Sequence, residues 1–167
     1  TEGQSWLFQK AGQFLLCGHN TGVLVFNKNG SLHKTLPVPV NVWQILPDPR
    51  EEEIFYALAL DGIYVLKLYE DDIKVDYKLK GYSENVIYSE FDTSGYLWVS
   101  DEMNGIVRLK INRNSDSVTQ VKNYTKEDGL PSTEGNWIIK VESDIVIVNP
   151  SYFGFYYYNS DKNNFEP

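Results

Sequence analysis

A short signature recurs four times along this chain: a Ser or Asn followed by two residues of which at least one is bulky and apolar, then, further on, a Gly followed by an apolar residue. It reads Ser5-Trp6-Leu7 with Gly22-Val23, Asn41-Val42-Trp43 with Gly62-Ile63, Asn85-Val86-Ile87 with Gly105-Ile106, and Asn136-Trp137-Ile138 with Gly154-Phe155. The four glycines are 40, 43 and 49 residues apart, and the differences fall in loops. A repeat of this length constrains the fold more than any local propensity. One repeat cannot bury its own apolar face, so neighbours must stack to make a continuous core.

The repeat beginning at Asn85 shows what one unit contains. Residues 85–91, 96–100, 105–111 and 117–124 are β-like runs, separated by the turn signals Asp92-Thr93-Ser94-Gly95, Met103-Asn104-Gly105 and Asn112 to Asp116. Four short strands in a repeat of about 40–50 residues is the pattern of a propeller blade. The expected fold is therefore all-β: a β-propeller-type array of about four four-stranded antiparallel blades. They are placed at residues 5–38, 41–82, 85–124 and 136–167, in a single domain over 1–167. Thr1-Glu2-Gly3 echoes Thr133-Glu134-Gly135, and Asn164-Phe165-Glu166-Pro167 stands where a fourth strand should start. The chain thus reads as a piece of a larger propeller.

Strand chemistry agrees. Phe14-Leu15-Leu16-Cys17, residues 54–60, Ile63-Tyr64-Val65-Leu66 and Ile145-Val146-Ile147-Val148 are apolar without alternation, which implies cover on both faces. Lys28-Asn29-Gly30-Ser31 predicts a type I′ hairpin, because Asn-Gly accepts positive φ. The same corner in the last repeat falls at residues 161–164. The prolines lie in connections or at strand ends, where no ladder donor is lost.

Charge narrows the partners. With 15 basic and 23 acidic residues the chain carries −8, which repels phosphate backbones and argues against a nucleic-acid partner. No apolar run approaches the roughly 20 residues that span a bilayer. The lone Cys17 cannot form an internal disulfide. Cys17 and His19 share a strand face, but a metal site would need further ligands converging on them, and a catalytic pair would need convergence that parallel side chains lack. Arg50, Arg108 and Arg113 are too scattered for an anion-binding cluster. Asp92 and Gly95 read as the ends of a structural corner, with Trp98 in the core. Neither cofactor nor metal nor catalytic residue is expected.

Aromatic residues, 14% of the chain, are the richer signal. Trp6, Trp43, Trp98 and Trp137 occupy strand positions and are expected mainly in the core. Loops sharing one rim would carry His19, Asp61, Tyr82, Asp101, Glu102, Asn104, Tyr152 and Phe153. Carboxylates, amides and aromatics together suit a polyhydroxylated ligand.

Two stretches carry a family resemblance. Asp92, Gly95, Leu97, Trp98, Val99, Gly105 and Ile106, followed by Asp128-Gly129-Leu130-Pro131, resemble the two-component regulator propeller repeat. The resemblance implies the periplasmic sensor region of a bacterial hybrid two-component sensor histidine kinase, the extracytoplasmic part of an inner-membrane protein. Many such regions respond to glycans, and the kinase would lie elsewhere in the parent protein. The motifs are structural and assign no ligand residues. The expected function is a non-catalytic, ligand-binding sensor fragment, with an oligosaccharide as the expected ligand and the rest of the kinase as partner. The alternatives are a propeller-type carbohydrate-active enzyme and a protein-interaction scaffold. Blades exposed at the ends of an open array also predict self-association through blade faces or edge strands.

Overall fold

The computed structural model describes residues 3–101, 105–152 and 154–167. It contains sixteen strands in four sheets, each built from four consecutive antiparallel strands in the order of the chain. The first sheet is β1 (Ser5–Ala11), β2 (Phe14–His19), β3 (Gly22–Asn27) and β4 (Leu32–Leu36). The second is β5 (Val42–Pro47), β6 (Ile54–Ala59), β7 (Gly62–Leu68) and β8 (Ile73–Lys78). The third is β9 (Tyr88–Phe91), β10 (Leu97–Asp101), β11 (Gly105–Asn112) and β12 (Ser117–Tyr124), and the fourth is β13 (Trp137–Val141), β14 (Asp144–Asn149), β15 (Gly154–Asn159) and β16 (Asn164–Glu166). Among the described residues the only helical turns are three short 3-10 turns, at Arg113–Ser115, Lys126–Asp128 and Pro150–Tyr152.

Two compact units divide the chain, residues 1–86 with the first two sheets and 87–167 with the last two. The unbroken apolar strand β6 is buried on both faces, as its composition requires, at all six residues, and all five residues of β10 are buried as well. In the first unit Leu16 and Val25 pack with Val42, Phe55, Ala57 and Leu66. In the second, Trp98 is fully buried at the centre of Tyr124, Tyr158 and Phe165, with ring centroids 5.1, 4.6 and 5.7 Å away. Truncating such a core tryptophan costs about 3–5 kcal/mol.

The recurring glycine has one physical cause in the first three repeats. Gly22, Gly62 and Gly105 have φ of 119°, 126° and 84°. A β-carbon there would stand 2.8, 2.8 and 2.7 Å from the carbonyl oxygens of Leu36, Tyr82 and Tyr124, where the chain leaves the fourth strand of the same sheet. Each glycine therefore lets the outgoing segment cross its own third strand. At Gly154 the neighbour is instead the ring of Tyr156.

Three expectations change. The corner at residues 28–31 is not type I′, because Gly30 and not Asn29 has positive φ (82°). Gly30 N–H donates to Asn27 O at 2.9 Å and Asn27 N–H to Ser31 O at 2.9 Å, while the ladder shifts register between Val25 and Phe26. That is a type I turn with a bulge, which needs one left-handed residue instead of two. Residues 164–166 already form a short fourth strand paired with β15. Trp98 is the one tryptophan in the core: Trp6 and Trp43 are half-buried and Trp137 is 46% exposed. Trp98 lies on an inner strand, whereas the others sit near the starts of edge strands, where one side of the ring has no neighbouring strand.

Candidate functional site

The rim residues expected from the sequence are placed in different ways. His19 ends β2 almost fully buried, its Nδ1 accepting the Thr21 N–H at 3.2 Å and paired with Thr21 Oγ1 at 2.7 Å. Tyr82 and Asp101 are buried too. Tyr82 is held where its carbonyl meets Gly62, and Asp101 pairs with Gly105 in the ladder. Tyr152 lies in a 3-10 turn. Glu102, Asn104 and Phe153 fall outside the described residues.

Asp61 is the one expected site residue that organises a polar cluster. Its Oδ2 accepts from Tyr64 OH at 3.0 Å and from Lys78 Nζ at 2.6 Å, and Lys78 lies 5.2 Å over the Tyr64 ring. Burial, and then Asp61, push the Tyr64 phenol up, while Asp61 raises Lys78. The Tyr64 phenol thus stays neutral and Lys78 charged at neutral pH, and both are occupied with Asp61. Burial likewise raises the Cys17 thiol, which stays protonated. Among the described residues no group of three or more His, Cys, Asp or Glu is placed to hold a metal.

Each unit also pairs aromatic rings from the first strands of its two sheets. Trp6 and Trp43 are packed at 4.6 Å between centroids, and the Trp43 indole N–H donates to Asn85 Oδ1 at 3.0 Å. Tyr88 and Trp137 are wider apart, 5.6 Å at 43°, and open to solvent at 37% and 46%. They line a cleft of ≈ 420 Å³ with Ile87, Ser100, Glu134, Gly135 and Asn136.

The floor of this cleft is fixed by hydrogen bonds made before any ligand arrives. Ser100 Oγ donates to Asn136 O at 2.6 Å, and Asn136 Nδ2 to Ser132 O at 2.8 Å. Asn149 Nδ2 donates to both Asn136 Oδ1 and Glu134 O at 3.0 Å. Gly135, with φ of 70°, has open space where a side chain would begin. Glu134 is exposed and is the only charged residue lining the cleft among the described residues. Two tilted rings and one carboxylate on a rigid floor can stack on a flat apolar face and accept a hydrogen bond from its edge.

A larger cleft in the first unit, ≈ 850 Å³, is lined by Glu51, Glu53, Glu70 and Asp71 with Lys67 and Tyr69. Its one aromatic face is already taken, since Lys67 and Lys74 lie 5.8 and 5.5 Å from the Tyr69 centroid. The Tyr88–Trp137 cleft is the better candidate. Sequence reasoning passed over it by assigning Trp137 to the core and leaving Tyr88 unremarked. The available signal was the bulky ring near the start of the first strand in every repeat.

The four sheets are blades of a β-propeller. No protein-family profile and no curated protein sequence matches the chain. Solved structures do. The extracellular domain assigned to the hybrid two-component system BT4673 of B. thetaiotaomicron superposes with a TM-score of 0.76 at 15% identity, over 98% of this chain and 21% of that one. The corresponding domain of BT3049 from the same organism gives 0.73 at 15%, over 98% and 23%. The WD40 β-propeller domain of Doa1 gives 0.64 at 14%, over 90% and 49%. At such identities the shared property is the fold. The chain spans about a fifth of the length of the two B. thetaiotaomicron domains.

Proposed function

We propose that this chain is a non-catalytic, ligand-binding segment of the extracytoplasmic, periplasmic sensor region of a hybrid two-component system, and that its ligand is a carbohydrate. The observation that carries the ligand reading is the exposed Tyr88–Trp137 pair over a cleft in which Ser100 and Asn136 are held by hydrogen bonds. Exposed tilted rings on a preformed floor suit the apolar face of a sugar, and an ordered floor lowers the entropy lost on binding. The sensor role is supported by the likeness to extracellular domains assigned to hybrid two-component systems and by the repeat motifs around Trp98 and Gly129. A bound sugar would signal through its differential affinity for two arrangements of the parent protein.

The test is calorimetry of the chain against a panel of mono- and oligosaccharides, with product analysis of each mixture. Saturable binding without turnover, weakened at least about tenfold by Trp137→Ala, is the expected result. Product formation would replace this reading with an enzyme. A panel without any binder would favour a protein-interaction scaffold.

A further inference from the structure

We infer that the ligand of the Tyr88–Trp137 cleft carries a positive charge, an aliphatic ammonium held over the two rings and facing Glu134. The inference rests on the reading of this cleft as the sensory site and narrows what it accepts.

Several tyrosine rings elsewhere in the molecule carry a cation over one face. Tyr64 has Lys78 at 5.2 Å, Tyr69 has Lys67 and Lys74, Tyr96 has Arg108 at 3.9 Å, and Tyr124 has Lys122 at 4.2 Å. Tyr88 and Trp137 have no such cation among the described residues, although both are exposed and adjacent. Among the described residues, the cleft that both rings line carries one carboxylate and no Lys or Arg. Adjacent rings with a nearby carboxylate attract an ammonium more strongly than a neutral group. The side-chain polar groups of Ser100 and Asn136 already make hydrogen bonds within the protein, which leaves the Glu134 carboxylate, with the Tyr88 hydroxyl and the Trp137 indole N–H, to meet a ligand. The net charge of −8 adds long-range attraction of the same sign. An amino sugar meets both requirements, a ring face for stacking and a charged amine.

Calorimetry at low salt and mildly acidic pH, where the amine is protonated, tests this with glucosamine, glucose, N-acetylglucosamine and choline. Glucosamine should bind at least about tenfold more tightly than glucose or N-acetylglucosamine, and Glu134→Gln should remove about that factor without moving the melting temperature. Binding should weaken as salt is raised. Choline binding as tightly as glucosamine supports an ammonium site indifferent to the sugar, and choline binding much more weakly supports an amino-sugar site. Equal affinity for glucose and glucosamine overturns the charge inference while leaving the carbohydrate reading intact. Absence of binding by all four, or an unchanged affinity in Glu134→Gln, also overturns it.

Discussion

Gly129 lies directly against the backbone of Phe165, whose carbonyl oxygen fills the space where a β-carbon would stand. The glycine closes the 3-10 turn Lys126–Asp128 with φ of 92°, and Leu130 after it enters the core beside Trp98 and Phe165. The connection from the third sheet to the fourth is thus clamped onto β16. Gly129→Ala combines positive φ with a backbone collision and should cost about 2–4 kcal/mol in denaturant unfolding. Gly30→Ala is the control: its φ is 82° but nothing lies within 4 Å, so only the strain of about 1–2 kcal/mol applies. Equal losses for the two variants would show that Phe165 does not set the requirement.

Asp92 holds the corner of the third sheet with both carboxylate oxygens. Oδ1 accepts the N–H groups of Ser94 and Tyr96 at 2.9 Å, and Oδ2 accepts the Trp98 indole N–H at 2.8 Å and Arg108 Nη2 at 3.0 Å. Burial opposes the Arg108 charge, but Asp92 together with Tyr158 and Tyr124 outweighs it and the guanidinium pKa rises. Asp92→Ala would leave a largely buried arginine and an indole N–H without this acceptor, a loss of about 3–5 kcal/mol by chemical denaturation. Arg108→Ala in the same background should then cost much less than it does alone, the signature of coupling in a double-mutant cycle.

These two sites show which features could be read from the chain. The glycines at 22, 62 and 105 repeat because three sheets solve the same steric problem, and Asp92-Gly95 declares itself because its turn needs an Asx acceptor and a left-handed residue. Period and turn chemistry therefore sufficed for the architecture. The site was less legible. Trp98 and Trp137 are the same residue on similar apolar strands, yet one is sealed and the other 46% exposed, because exposure depends on which strand of the sheet carries the ring. His19 and Asp101 look like rim residues in sequence because each precedes a turn signal, but both are the buried last residues of inner strands. Local pattern carries no record of that distinction.

Titration should show two opposed carboxylate effects. Burial raises Glu90, and the Lys140 charge only partly offsets it. A raised folded pKa means that the native state binds the proton more tightly, so this contribution is present below the ordinary glutamate value of about 4.3 and is lost as pH rises through the folded value. Lys34 lowers Asp72, and Lys162 lowers Glu166. Their contributions are present above the ordinary carboxylate range and disappear as pH falls through the depressed values. Glu90→Gln should flatten the decline on the alkaline side of that window and stabilise the chain at neutral pH, whereas Asp72→Asn should flatten the decline on the acid side. Melting temperatures across pH 2 to about 8 would separate the two slopes. Parallel curves for wild type and Glu90→Gln would count against the burial assignment.

One face of the fourth sheet predicts association. Ile139 and Tyr157 stand opposite Val146 on the two neighbouring strands, and with Val141 and Phe155 they expose 38%, 48%, 46% and 57% of their surface. The opposite face, with Ile138, Ile147 and Phe165, is core. Covering a few hundred Å² of such surface at about 25 cal/mol per Å² is worth several kcal/mol, enough to outweigh modest repulsion between copies of charge −8. The chain should therefore self-associate weakly, at concentrations approaching millimolar. Phe155→Lys combined with Tyr157→Lys should shift sedimentation toward the monomer with little loss of unfolding free energy, because both side chains are already about half in water. Raising salt should strengthen association of the wild type by screening its net charge. A wild-type chain that sediments only as a monomer at all concentrations and salts would show that this face does not pair with a second copy.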